Sequence, residues 1–88
     1  MRAIMTVTGR DRTGIVAAVT TKLAERKVNV KNISQTIMSE YFTMILEISL
    51  PEDLDITSLQ ADMHALGETE GLEIRVQSEA IFDAMHRL

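Results

Sequence analysis

The clearest β-strand predicted in this 88-residue sequence is YFTMILEISL, residues 41–50. Its apolar side chains alternate along its length, so one face of the strand is expected to enter a hydrophobic core. Ser39 and Glu40 form a two-residue connection before it, and Pro51 ends it because proline has no N–H for a strand ladder. The segment is therefore predicted to be the second arm of a β-hairpin.

The sequence before this hairpin predicts a strand followed by a helix. Alternating residues over Arg2–Thr8 indicate a strand, and the stretch Gly9–Gly14 interrupts the alternation with two glycines. Apolar residues at helical spacing then run over residues 15–24. Asp11 or Thr13 is expected to accept hydrogen bonds from the free N–H groups at the start of this helix.

The first arm of the hairpin is a strand predicted over Val28–Met38. Its apolar residues change parity between Val30 and Ile33, which a strict two-residue period forbids. We therefore expect a β-bulge near Lys31 and Asn32.

After Pro51 the sequence predicts a helix, a strand and a short terminal helix. The first of these helices begins at Ile56, and Gly67 or Gly71 is available to end it near Leu66. Alternation over residues 72–77 indicates a fourth strand. Ser78 is a plausible N-cap for a terminal helix over Glu79–Leu88. The apolar stripe of that helix consists of Ile81, Phe82, Met85 and Leu88.

The predicted order β-α-β-β-α-β is that of a ferredoxin-like α+β sandwich. Right-handed crossovers give a four-stranded antiparallel sheet of order 4-1-3-2, with two helices on one face and the second strand on an edge. Residues 1–78 are predicted to form this domain. Residues 79–88 are expected to form an extra helix that packs on the domain or on a partner chain.

Composition excludes several classes of function. Nine Lys and Arg against thirteen Asp and Glu give a net charge of −4, which disfavours nucleic acid as a partner. The chain has no cysteine and two histidines without further ligands at metal-binding spacing, so neither a metal nor a cofactor is predicted. The sequence shows no signal peptide and no apolar run of membrane-spanning length, which predicts a cytoplasmic protein away from the membrane.

The Gly9–Gly14 segment is the first candidate for chemistry. Its glycines have the spacing of a phosphate-binding loop, but Ile15 and Val16 stand where that motif has Lys and Ser or Thr. A strand–loop–helix junction still directs N–H groups outward, where a carboxylate could dock; alternatively, the glycines merely allow a tight turn. Arg10 and Arg12 invite comparison with the loop arginine of acylphosphatase, although the rest of that loop pattern is absent.

Thr8–Val16 followed by Leu23–Val30 resembles the ACT domain family. The likeness extends through Ile33–Thr36, Tyr41–Met44 and Ala80–Met85 to nearly the whole chain, and is greatest to short free-standing bacterial ACT proteins. The sequence is also similar to the ACT modules of the glycine-cleavage repressor and of formyltetrahydrofolate deformylase. The resemblance implies a non-catalytic sensor of a small metabolite, usually an amino acid, that regulates a partner enzyme or transcription factor in metabolism.

The resemblance also implies where a ligand would bind. In the family, the loop after the first strand and an asparagine that opens the second strand hold the ligand. The corresponding residues here are Gly9, Arg10, Asp11, Arg12, Thr13, Gly14 and Asn29. Two residues depart from the family pattern, since Thr13 replaces a usual proline and Lys27 replaces a usual glycine. If Lys27 takes a positive φ, the expected cost is about 1 kcal/mol.

The second strand supplies a physical reason for a homodimer. Val28–Met38 carries no proline and few charges, and an edge of this kind pairs readily with another chain. Because the first two strands are parallel, Asn29 and the Gly9–Gly14 segment lie at opposite ends of one chain's sheet. Antiparallel pairing of two second strands would bring Asn29 of one chain toward the loop of the other. The alternatives are an interaction module without a ligand and a small acylphosphatase-like enzyme.

Overall fold

The computed structural model describes residues 1–86 and contains four strands and three helices. They are β1 (Arg2–Arg10), α1 (Ile15–Glu25), β2 (Asn29–Met38), β3 (Tyr41–Ser49), α2 (Ile56–Glu70), β4 (Glu73–Ser78) and α3 (Glu79–His86). Leu88, the last residue of the predicted apolar stripe, lies outside the described residues. No helix in the described part of the chain is both long and apolar enough to cross a membrane.

The strands form one antiparallel sheet in the order β2-β3-β1-β4, which confirms the predicted topology. Arg10 lies opposite Tyr41, which also pairs with Met38, so these residues mark what we call the turn end of the sheet. The register of β2 against β3 shifts between Val30 and Asn32, and the predicted bulge is therefore confirmed.

The hydrophobic core lies between one face of the sheet and the helices α1 and α2. Alternate residues of the two central strands point into it, as the period of a half-buried strand requires. Its members in these strands are Ala3, Met5, Val7, Phe42, Met44, Leu46 and Ile48, all of them buried. The helices contribute Ile15, Val19, Leu23, Leu59 and Met63.

The two long helices begin in different ways. Asp55 caps α2, with its carboxylate accepting a hydrogen bond from the N–H of Ser58 at 2.7 Å. Helix α1 instead follows Gly14, which has a φ of 94° and no side chain to offer. The prediction that Asp11 or Thr13 caps α1 is therefore wrong, because a glycine in the left-handed conformation occupies the N-cap position.

Helix α2 is longer than predicted. It continues past Gly67 to Glu70 and ends at Gly71, which has a φ of 72°. Gly67 is buried against β4, where an added Cβ would stand 2.6 Å from the carbonyl oxygen of Leu72. The glycine therefore permits a close approach of helix and strand and does not end the helix.

Helix α3 packs on the face of the sheet that α1 and α2 leave open. It contacts β1 and β4, and the amide of Gln77 donates a hydrogen bond of 3.2 Å to the sulfur of Met85. The Ser78 hydroxyl accepts a hydrogen bond from the N–H of Ile81, which confirms the predicted cap. Tyr41 and Ile45 on β3, on the same face, remain exposed.

Candidate ligand site

The β1–α1 loop is attached to the turn between β2 and β3. The N–H of Asp11 donates a hydrogen bond of 2.7 Å to the carbonyl of Glu40. The Arg10 guanidinium lies 3.0 Å from the carboxylate of Glu40 and 5.8 Å from the centre of the Tyr41 ring. These side chains are exposed, so the ion pair contributes only about 0.2–1 kcal/mol. The contacts hold the loop beside the turn end of the sheet.

Arg12 attaches the other side of the loop to the end of α2. Its Nη2 atom donates hydrogen bonds to the Glu70 carboxylate at 2.5 Å and to the Glu70 backbone carbonyl at 3.1 Å. A cation at this position also interacts favourably with the negative end of the helix dipole. Arg10 and Arg12 are thus both paired with carboxylates, which neutralise the charge that an acylphosphatase-like site would present to a phosphoryl group.

The N-terminus of α1 lies directly after this loop. Its first turn contains no acidic residue, and no side chain of the described residues caps it. The N–H of Ala18 donates to the carbonyl of Gly14, which leaves the preceding N–H groups of Ile15, Val16 and Ala17 without an intrahelical acceptor. Such groups, together with the positive end of the helix dipole, can receive a carboxylate.

Gly9 and Arg10 lie at the end of β1 and not in the loop, because the strand is two residues longer than predicted. An added Cβ on Gly9 would stand 2.7 Å from the Cδ2 atom of Leu72. A side chain at Gly9 would therefore displace the end of the Leu72 side chain, so the glycine allows close packing at this end of β1. Gly14 has no atom within 4 Å of the corresponding position, so its role is conformational.

Asn29 lies at the opposite end of the sheet. It is exposed at the start of β2 and pairs with Ser49, which also pairs with Arg2 at the beginning of β1. The nine residues of β1 therefore separate Asn29 from the loop, a distance of roughly 27 Å at the rise of an antiparallel strand. One chain alone does not bring Asn29 and the loop together.

A cavity that the sequence did not predict lies between α2 and β4. Its volume is about 740 Å³, within the range of small-ligand sites. The lining residues are Thr8, Gly9, His64, Gly67, Glu68, Gly71, Leu72, Glu73, Ile74 and Arg75. Of the predicted site residues, Gly9 lines it, while residues 10–14 and Asn29 do not. The glycines at positions 67 and 71 are a signal in the sequence, but they indicated only the end of a helix.

The sequence profile of the ACT domain matches residues 2–77 of the chain. The chain belongs to the ACT domain family. A UPF0237 protein of Streptococcus mutans is 52% identical to this ACT domain over 88 residues, covering 100% of both chains. A UPF0237 protein of Corynebacterium glutamicum is 54% identical over 89 residues, again covering 100% of both.

Solved structures agree with this assignment. An ACT domain protein from Streptococcus pneumoniae is 48% identical, with a TM-score of 0.85 and 98% of each chain covered. A formyltetrahydrofolate deformylase from Pseudomonas putida shares the fold at 21% identity and a TM-score of 0.81, over 89% of this chain and 29% of that one. A putative glycine cleavage system transcriptional repressor does so at 22% identity and a TM-score of 0.78, over 86% and 44%. The predicted likeness to these modules is confirmed.

The ACT domain therefore brings one group of the predicted site residues together. Residues 9–14 lie at the turn end of the sheet, and Asn29 lies at the other end. Among residues 1–86, no cluster of three His, Asp or Glu side chains could hold a metal ion. His64 contacts the Glu68 carboxylate at 3.5 Å on the exposed surface of α2.

Proposed function

We propose that this ACT domain is a non-catalytic regulatory module that binds a small metabolite of the amino acid class as a homodimer. The exposed apolar edge of β2 is the observation that carries the proposal. A ligand would bind between the β1–α1 loop of one protomer and the partner's Asn29. Occupancy of that site would then regulate an enzyme or a transcription factor.

The β2 edge has the properties of an interface between copies. Nine of its ten residues are exposed, and Val30 is half-buried. Ile33, Ile37 and Met38 are 44%, 58% and 72% exposed, although all three are large and apolar. Folded monomers usually protect such an edge with charges, proline, a β-bulge or a covering segment. In β2 the bulge and Lys31 lie near its start, and residues 32–38 carry neither charge nor proline. Pairing with a second β2 about a two-fold axis removes the edge and forms an eight-stranded sheet.

This dimer would complete the site geometrically. In an antiparallel β2–β2 pair, the partner's Asn29 approaches the end of β2 at Met38. Three strand spacings of about 4.8 Å separate the partner's β2 from β1. The hydrogen bond from Asp11 to Glu40 draws the loop from β1 toward the turn and shortens this separation.

The chemistry of the two sides suits an amino acid. The unsatisfied N–H groups at the start of α1 favour a carboxylate, and the amide of the partner's Asn29 can both donate and accept hydrogen bonds. A ligand that contacts both protomers binds the dimer better than the monomer. Binding and assembly are therefore expected to be coupled.

Thermal unfolding in the presence of each of the twenty amino acids tests the proposal, followed by titration calorimetry with any that stabilises the protein. Asn29→Ala is expected to lower affinity by about tenfold, as expected for a lost hydrogen bond to a charged group. Asn32→Ala, which changes another exposed asparagine of β2, serves as the matched control and should retain wild-type affinity. The proposal fails if no amino acid stabilises the protein, or if Asn29→Ala binds as tightly as wild type.

A further inference from the structure

The sheet has a second edge, at β4, and α2 closes both ends of it. The side-chain amide of Gln60 donates a hydrogen bond of 2.7 Å to the carbonyl of Val76. At the other end, the N–H of Leu72 is bound by the carbonyl of Gly67 at 2.9 Å. Because backbone groups of successive residues alternate between the two sides of a strand, Ile74 directs its N–H and C=O the same way as the Val76 carbonyl. These groups of Ile74 therefore point away from β1.

A groove runs beside this open part of the edge. The cavity of about 740 Å³ meets a second one of about 330 Å³, and both are lined by His64, Ile74 and Arg75. On the opposite face of the sheet, Met85 of α3 lies against Gln77 and is 61% exposed. A strand added to β4 would thus have the groove beside α2 under one set of its side chains, and Met85 near the other set, on the face that also carries Arg75.

The charge of the groove indicates which polar side chains an added strand would direct into it. Glu73 is paired with Arg75 at 3.1 Å, whereas the ion-pair partner of Glu68 within residues 1–86 is His64, which is uncharged unless protonated. The groove therefore has one carboxylate in excess. A lysine or arginine on an added strand would neutralise it.

We propose that the β4 edge binds an extended peptide segment of a partner protein by strand addition, with a basic side chain directed at Glu68 and apolar side chains on the opposite face. The backbone of the segment pairs with Ile74, and Gln60 limits the length of the pairing. Strand addition of this kind derives affinity from backbone hydrogen bonds and specificity from alternate side chains. The β4 edge lies opposite the β2 edge, and of the predicted metabolite-site residues Gly9 alone lines the groove, so the inference rests on other residues.

The test titrates the acetylated and amidated peptide Thr-Val-Lys-Val-Lys-Val into the isotope-labelled full-length protein. Binding is detected by changes in the backbone amide chemical shifts. Shifts centred on Ile74 and the rest of β4 are expected. The same peptide with glutamates in place of both lysines should bind about tenfold more weakly or worse, because the groove repels it. Methylation of the backbone nitrogen of the first lysine should weaken binding by about tenfold, since it removes a strand hydrogen bond without changing the protein.

Protein variants test the same contact from the other side. Glu68→Gln is expected to weaken binding of the lysine peptide by about threefold, as for an exposed ion pair, while Glu52→Gln in the distant turn changes nothing. Gln60→Ala should strengthen binding because it frees the Val76 carbonyl.

The inference is overturned if the methylated peptide binds as well as its parent, if the glutamate peptide binds equally, or if the shifts map to β2. Self-association of the protein through β4 without a peptide would overturn it as well. None of these outcomes depends on whether an amino acid binds at Asn29, so the two proposals fail separately.

Discussion

The two halves of this chain have the same arrangement of elements. They differ in how many of their backbone hydrogen-bonding groups find a partner within the same half. Each half is a central strand, a helix and an edge strand: β1, α1 and β2 in the first, and β3, α2 and β4 in the second. Helix α1 begins without a side-chain cap, whereas Asp55 caps α2. The path from α1 to β2 passes through Lys27 with a φ of 58°, and that from α2 to β4 through Gly71 with a φ of 72°.

The edges differ in the same direction. Nearly all of β2 is exposed, while β4 is bracketed by Gln60 and Gly67 of α2 and contacted by α3. The second half thus pairs backbone groups at its helix start and strand edge with its own residues, whereas the corresponding groups of the first half are left without such partners. Positions at which a protein departs from local optimisation are expected at functional sites. The comparison is consistent with the proposal that the first half carries the metabolite site and the β2 edge of a dimer.

The largest expected effect is the removal of the close contact between α2 and β4. Gly67→Ala places a methyl group 2.6 Å from the carbonyl oxygen of Leu72, so helix or strand must move. We expect the free energy of unfolding to fall by about 3 kcal/mol, as for an overpacked core. Urea denaturation measures the free energy of unfolding. Thr69→Ala, on the exposed side of the same helix, is the control. A loss as small as that of the control would mean that the approach of α2 to β4 is not tight.

The second prediction concerns β2 and its ability to assemble. Replacing both Ile33 and Ile37 with lysine puts like charges on each side of a β2–β2 interface, and we expect the dimer dissociation constant to rise about thirtyfold. The folded monomer should remain stable, since both isoleucines are exposed. Sedimentation velocity measures the dissociation constant.

Ile45→Lys is the matched control for this experiment, because Ile45 is 44% exposed, as is Ile33, but lies on β3. It should leave assembly unchanged. If Ile45→Lys dissociates the dimer and the β2 double variant does not, the open face of the sheet and not its edge holds the protomers together.

The sequence predicted the elements whose signal is local. Alternation identified β3, and the change of parity in β2 identified the bulge between Val30 and Asn32. The order of the strands followed from the order of the elements and the handedness of crossovers. The positive φ of Lys27, which the sequence analysis considered because the family usually has glycine there, is present at 58°.

What the sequence did not predict depends on contacts between distant residues. Glycine commonly ends helices, so the sequence suggested a helix end at Gly67. Only the proximity of Leu72 explains why this glycine lies inside α2. The pairing of Arg12 with Glu70 joins residues 58 positions apart, and no spacing rule finds such a pair. The groove beside β4 likewise exists only because α2 and β4 meet, and of the predicted site residues, Gly9–Gly14 and Asn29, it contains Gly9 alone.

The third prediction concerns Lys27 and Gly71, the residues with a positive φ that follow α1 and α2. Lys27→Gly relieves the left-handed strain of a residue with a Cβ and is expected to stabilise the protein by about 1 kcal/mol. Gly71→Ala introduces the same strain and should destabilise it by a similar amount, since no atom lies within 4 Å of the added methyl group. Thermal and urea unfolding check both changes. Equal effects of the same sign would show that backbone conformation does not distinguish the two connections.

The smallest effect concerns the helix start that distinguishes the second half. The hydrogen bond from the backbone N–H of Ser58, with a further one from its side chain, lowers the pKa of Asp55 below its ordinary value of 3.8. Because the pKa is lower in the folded protein, the carboxylate stabilises the fold at pH values above 3.8. That contribution is lost as the pH falls through the folded-state pKa.

Asp55→Asn keeps a capping oxygen but removes the charge, so it should be less stable than wild type at neutral pH and equally stable in strong acid. Urea unfolding of both proteins at neutral pH and at a series of pH values below 3.8 measures this convergence. Asp53→Asn, a change of a nearby carboxylate in the preceding turn, should not alter the pH dependence. A constant difference between Asp55→Asn and wild type at all of these pH values would show that the charge contributes nothing, and that α2 differs from α1 only in having a side-chain acceptor.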